Sequence, residues 1–161
     1  MLRLLAIALV LCACRPGPGD VPPAGASPPA EDSSAARAVL ERHLGAVASG
    51  DLSTLRETLS PELGMTLLLP GAEPSVSVDG FVAFHEAWFA DTSAWTWTPR
   101  VDAFAAGADF ALATVEATYR EPERDGVPYA NRMQITYALR KSGGDWYVVR
   151  DHASSTEKST D

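Results

Sequence analysis

Lysine is scarce in this 161-residue chain, and so is cysteine. Two Lys stand beside 11 Arg, and these cations face 21 Asp and Glu, for a formal net charge of −8. That acidity, with a sequence pI of about 4.8 and no basic stripe, excludes a surface built to hold DNA or RNA phosphates. Both cysteines, Cys12 and Cys14, lie near the N-terminus, so the rest of the chain has no thiols for a disulfide framework. No apolar run approaches the roughly 20 residues of a permanent membrane-spanning helix. The three His show no H-x-x-x-H or paired-carboxylate spacing, so no metal is expected, and no other cofactor is implied. What remains is the balance of an ordinary globular domain, with 46% apolar residues.

The N-terminus carries an address. Arg3 precedes an apolar stretch over residues 4–11 that is too short to span a bilayer, as in an export signal. Leu11-Cys12-Ala13-Cys14 follows and resembles the lipobox of bacterial lipoproteins. Cys12 fits that pattern less well, because Leu11 would stand where a small residue is wanted. The expectation is a signal peptide over residues 1–13 and a lipidated Cys14; an ordinary secretory signal with a chance cysteine is the alternative. The resemblance implies an exported, lipid-anchored location in the cell envelope, and Arg15 rather than Asp after Cys14 looks, as in lipoproteins of enterobacterial type, more like outer-membrane sorting than inner-membrane retention. Residues 14–32 are rich in Pro, Gly and Ala and have no hydrophobic period. Such a segment cannot build a core and acts as a tether, reaching up to ~50 Å if extended.

Periodicity begins near Ser33 and sets a domain over residues 33–155, with a disordered tail at 156–161. Ala36, Leu40, His43 and Val47 recur at helical spacing, and Gly50 stops that helix. Asp51 caps a short second helix with Leu52, Leu55 and Leu59, closed by Pro61. Asp79 is read as the cap of a third, where Phe81, Phe84, His85 and Trp88 share a face. The period then becomes two. Strands are expected over 95–105, 110–121, 129–141 and 146–153, with Asp125-Gly126 and Ser142-Gly143-Gly144-Asp145 as turns. Helices followed by an antiparallel meander make an α+β order.

Five short motifs fall in sequence along this domain: Ser49-Gly50-Asp51-Leu52, Asp79-Gly80, Gly107-Ala108-Asp109-Phe110-Ala111, Gly144-Asp145-Trp146-Tyr147-Val148-Val149, and the trailing His152-Ala153-Ser154. Together they resemble the nuclear transport factor 2-like superfamily, and within it the SnoaL-like (polyketide-cyclase-like) domain. That resemblance implies a cone-shaped α+β fold: three N-terminal helices wrapped by a curved, mostly antiparallel sheet of four or more strands. It also implies an apolar pocket at the open end and a homodimer, for which Thr114, Glu116, Arg132, Gln134 and Thr136 supply an outer sheet face.

The candidate pocket residues are His43, His85, Trp88, Trp97, Tyr119, Met133 and His152. Each has a plain structural reading beside the functional one. A His in an apolar stripe is satisfied by a backbone carbonyl, and tryptophans fill the core. In ketosteroid isomerase, a member of the resembled superfamily, a first-helix Tyr sits seven residues before the Gly-Asp, and His43 holds that place here. The same enzyme has its catalytic Asp shortly after the second helix, where this chain reads Met65-Thr66-Leu67-Leu68-Leu69-Pro70 with no carboxylate. Asp151 and His152 alternate on the last strand, so at most one of them faces the cone unless a bulge resets the register, and parity does not choose because Val148 and Val149 are both apolar. No catalytic residue is assigned. The leading expectation is a membrane-anchored protein that binds a small apolar or amphipathic molecule, or a peptide segment, without turnover. One rival is a cyclase, isomerase or dehydratase with His43 and His152 as acid and base. Another is a structural dimeric subunit of an envelope complex.

Overall fold

Helix formation starts as soon as the prolines stop. The computed structural model describes residues 30–91 and 94–159. The expected signal peptide, Cys14 and the tether up to residue 29 lie outside the described residues. Helix α1 (Ala30–Ser49) begins three residues earlier than periodicity suggested. Glu31 and Asp32 in its first turn complement the helix dipole, and Asp32 pairs with Lys141. Helix α2 (Leu52–Glu57) is capped by Asp51, whose carboxylate accepts from the Thr54 N–H at 3.0 Å. Helix α3 (Val78–Phe89) is capped by Ser77, not Asp79: the Ser77 hydroxyl accepts from the Gly80 N–H at 3.0 Å. Asp79 instead lies within the first turn.

The sheet has five strands in the order β1-β5-β4-β3-β2. The long meander is β2 (Thr96–Ala106), β3 (Phe110–Arg124), β4 (Val127–Ser142) and β5 (Asp145–Lys158), antiparallel throughout. Residues 156–158, read from sequence as tail, extend β5, with Glu157 and Lys158 in register with Arg132 and Asn131. A short strand that periodicity did not reveal, β1 (Thr66–Leu68), pairs parallel with β5. Three residues are too few for alternation to register.

The inner face of the meander is the core. Ala111, Ala113, Val115 and Ala117 of β3 lie beside Ile135, Tyr137 and Leu139 of β4, all buried, with Leu40, Leu44 and Val47 of α1 in the same cluster. The helices tie to the sheet through the end of α2, where the Thr58 carbonyl accepts from the Val148 N–H at 2.9 Å. Bulges break the register near Asp102, between Arg132 and Met133, and between Ala138 and Leu139. The last one decides the site. Ala138 pairs with Arg150 but Leu139 with Val148, so Val149 is an extra residue on β5. Trp146 and Val148 point inward before the bulge; Asp151 and Ala153 do so after it.

Candidate functional site

Between the curved sheet and the helices lies a cavity of about 350 Å³, near the small end of ligand pockets. Its apolar wall is made by Phe84 and Trp88 of α3, Trp97 of β2, Met133 and Ile135 of β4, Ala153 of β5, and Leu67 and Leu69 around β1. Trp88 packs on Trp95 at 5.0 Å and edge-on to Tyr119 at 5.8 Å between ring centroids. Rings held by other rings give a stiff wall that can accept a flat apolar guest.

The deep end is polar. Asp151 is 6% exposed and lies in register between Leu67 of β1 and Tyr137 of β4. The Tyr137 hydroxyl donates to the Asp151 carboxyl. Burial away from water disfavours the carboxylate and raises the Asp151 pKa to about 7, while the bond from Tyr137 opposes that rise. Burial and the neighbouring carboxyl likewise push Tyr137 well above the usual phenol range. The second carboxyl oxygen, Oδ1, has no hydrogen-bond partner.

At the end nearest the β3–β4 turn, Tyr119, Glu121, Arg124, Tyr129 and Asn131 complete the lining. The Glu121 carboxylate accepts from the Tyr119 hydroxyl at 2.5 Å and from Arg124 Nε at 2.8 Å. The Arg124 guanidinium also covers the Tyr129 ring at 3.5 Å from its centroid. Hydrogen bonds from Arg124 hold Glu121 below its ordinary pKa, and burial followed by Glu121 raises Tyr119 to about 12. The three groups answer one another and leave no net charge between Glu121 and Arg124.

The expected pocket residues divide. His85, Trp88, Trp97, Tyr119 and Met133 all line the cavity. His85 is 2% exposed; its Nδ1–H donates to the Phe81 carbonyl at 2.9 Å, which fixes the tautomer and leaves Nε2 as an acceptor. Burial lowers its pKa to about 4. His43 is not in the lining. It sits wholly buried against Phe81 and Tyr137, with ring centroids at 5.8 and 5.5 Å. The Thr58 hydroxyl donates to the Leu55 carbonyl at 2.6 Å, so it can only accept from His43, whose Nδ1–H reaches it at 2.7 Å. Burial, followed by the nearby His85, lowers the His43 pKa to about 3.

His152 is corrected outright. It is exposed on the outer face, because the bulge at Val149 gives the inward place to Asp151. His43 and His152 therefore do not share a cavity, and an acid–base pair made of them does not exist. Sequence reasoning missed Asp151 as the inward residue, together with Tyr137, Glu121, Arg124 and Asn131. The one trace was the doubled apolar pair Val148-Val149, the spot where the register resets. Among the described residues no three His, Cys, Asp or Glu side chains gather as metal ligands, and no helix is long and apolar enough to cross a membrane.

Three helices packed on a mostly antiparallel sheet around an aromatic cavity make the fold of nuclear transport factor 2-like structures. Residues 36–157 match the SnoaL-like domain, and the chain belongs to that family. No curated protein sequence matches the chain. Among solved structures, it is similar to a protein provisionally described as a dehydratase of the nuclear transport factor 2-like family from Streptomyces avermitilis. That match has TM-score 0.68 at 18% identity and covers 80% of this chain and 99% of the other. A ketosteroid isomerase-like protein from Erwinia carotovora atroseptica gives 0.67 at 20%, covering 80% and 98%. A nuclear transport factor 2-like protein of unknown function from Pseudomonas putida gives 0.67 at 19%, covering 80% and 89%. At such identities the likeness is one of fold alone.

Proposed function

We propose that this domain is a binding module for a small, uncharged, ring-bearing molecule, and that a lipid on Cys14 holds it at the surface of the cell envelope. The observation that carries the binding reading is the cavity itself: an aromatic wall leading to a buried carboxyl whose Oδ1 has no partner. A group left so costs stability unless something in the cavity answers it. The anchor rests on the apolar stretch over residues 4–11 and on Leu11-Cys12-Ala13-Cys14 behind it. Trp88 and Trp97 line the cavity, so their emission reports occupancy. Titrating the full chain with 1-naphthol should change that emission saturably in the wild type and not in Ala153→Phe, which fills the cavity. A linear, unsaturable response in the wild type would dismiss the reading.

A second reading has its own support. A carboxyl whose proton is held to about pH 7 beside an apolar wall is a competent acid or base for a bound substrate. It replaces the His43–His152 scheme with Asp151, positioned by Tyr137. Turnover in the wild type and its loss in Asp151→Asn, with naphthol binding retained, would favour this enzyme over a carrier.

A further inference from the structure

This inference rests on the reading that the cavity binds a small apolar molecule, and it concerns the shape and polarity of that molecule. The polar groups lining the cavity can be counted by what already satisfies them. Tyr119, Glu121 and Arg124 bond to one another. His85 spends its N–H on the Phe81 carbonyl, and Tyr137 spends its hydroxyl on Asp151. Two buried oxygens in the lining are left with no partner: Oδ1 of Asp151 and Oδ1 of Asn131.

They stand at opposite ends. Asp151 is in register with Tyr137, and Asn131 is the third inward residue before it on β4, with Met133 and Ile135 between. Six residues make about 20 Å of strand, shortened across the cavity by the curvature of the sheet. The side chains between the two oxygens are apolar, and the aromatic wall faces them. We propose that the molecule bound here is elongated and uncharged, with a hydroxyl at one end that donates to Asn131 and a second oxygen function at the other end that meets Asp151. An amide oxygen only accepts, so the Asn131 end must bring a donor. A protonated carboxyl both donates and accepts, so the Asp151 end takes a hydroxyl or a carbonyl. An anionic ligand finds no counter-ion in Arg124, which is paired with Glu121, or in His85, which burial holds neutral.

Calorimetric titration of the full chain at pH 6 with trans-stilbene, 4-hydroxystilbene and 4,4′-dihydroxystilbene tests this directly. Each hydroxyl should tighten binding by about threefold to tenfold, the return of a neutral hydrogen bond. In Asn131→Leu and in Asp151→Leu one end keeps its oxygen and the ligand can turn to meet it, so 4-hydroxystilbene should keep its gain over stilbene while the second hydroxyl adds nothing. The wild-type ranking stands as a test even if a variant fails to fold. Equal affinity for all three stilbenes, or a full preference for the dihydroxy compound in Asn131→Leu, overturns the two-ended ligand while leaving the binding cavity in place. Failure of all three to bind overturns both.

Discussion

At the scale of single residues, the chemistry of this protein is concentrated in Asp151. Its pKa in the unfolded chain is near 3.8 and in the folded domain about 7, so folding takes up a proton. The sign follows: its contribution is most favourable below about pH 4, where both states are protonated, and is lost as pH rises towards and through 7. Asp151→Asn keeps an acceptor for the Tyr137 hydroxyl and has no proton to lose. Urea unfolding of both proteins should therefore show the variant gaining on the wild type by about 2–3 kcal/mol between pH 5 and pH 8. A difference that stays constant across that range would show that the carboxyl is ionised throughout and open to water. Sequence pattern could not select Asp151 over His152, since one inserted residue reverses every side chain beyond it.

Among elements, the link that matters is between α1 and α2. His43 of α1 donates to Thr58 at the end of α2, and the Thr58 carbonyl continues the chain of bonds into β5. His43 takes the inward place that the stripe Ala36-Leu40-His43-Val47 assigns it, but it meets protein rather than cavity. Its folded pKa of about 3 lies below the ordinary 6.5, so its contribution is complete above 6.5 and is lost as pH falls towards 3. His43→Leu keeps the volume, removes the partnerless Nε2, and frees Thr58 only of a bond it accepted. Thermal and urea unfolding should place the variant within about 1 kcal/mol of the wild type at pH 7.5 and about 2–3 kcal/mol above it at pH 4.5. Equal acid sensitivity would mean that His43 is charged in the folded state. The helices and the four long strands were legible because each carries a clear period and a turn or cap residue at its ends. β1 was not, being three residues long, and the cap of α3 was misplaced because Ser77 and Asp79 are both good caps two residues apart. Of the site, aromatic residues on periodic faces were readable. The groups near the β3–β4 turn were not, since Glu121, Arg124 and Asn131 acquire their meaning only when that turn folds over the cavity.

For the whole molecule, the outer face of the sheet sets a further expectation. Arg100, Glu116, Arg132 and Glu157 form an ion-pair ladder across it, and Phe110 and Leu112 remain 47% and 44% exposed at one end. Apolar side chains beside a face that satisfies its own charges suit a second copy of the same chain. The proposed homodimer should appear in sedimentation velocity as a concentration-dependent species that Leu112→Glu shifts back to monomer; a monomer at every concentration would retire it. The central claim concerns the inside of the molecule, and it is tested most directly by native mass spectrometry of the full chain purified gently from its native source. The wild type should carry a small molecule that leaves on activation, and Ala153→Phe, with its cavity filled, should appear bare. The same bare mass for both proteins, or the same adduct on both, would contradict a binding function for the cavity.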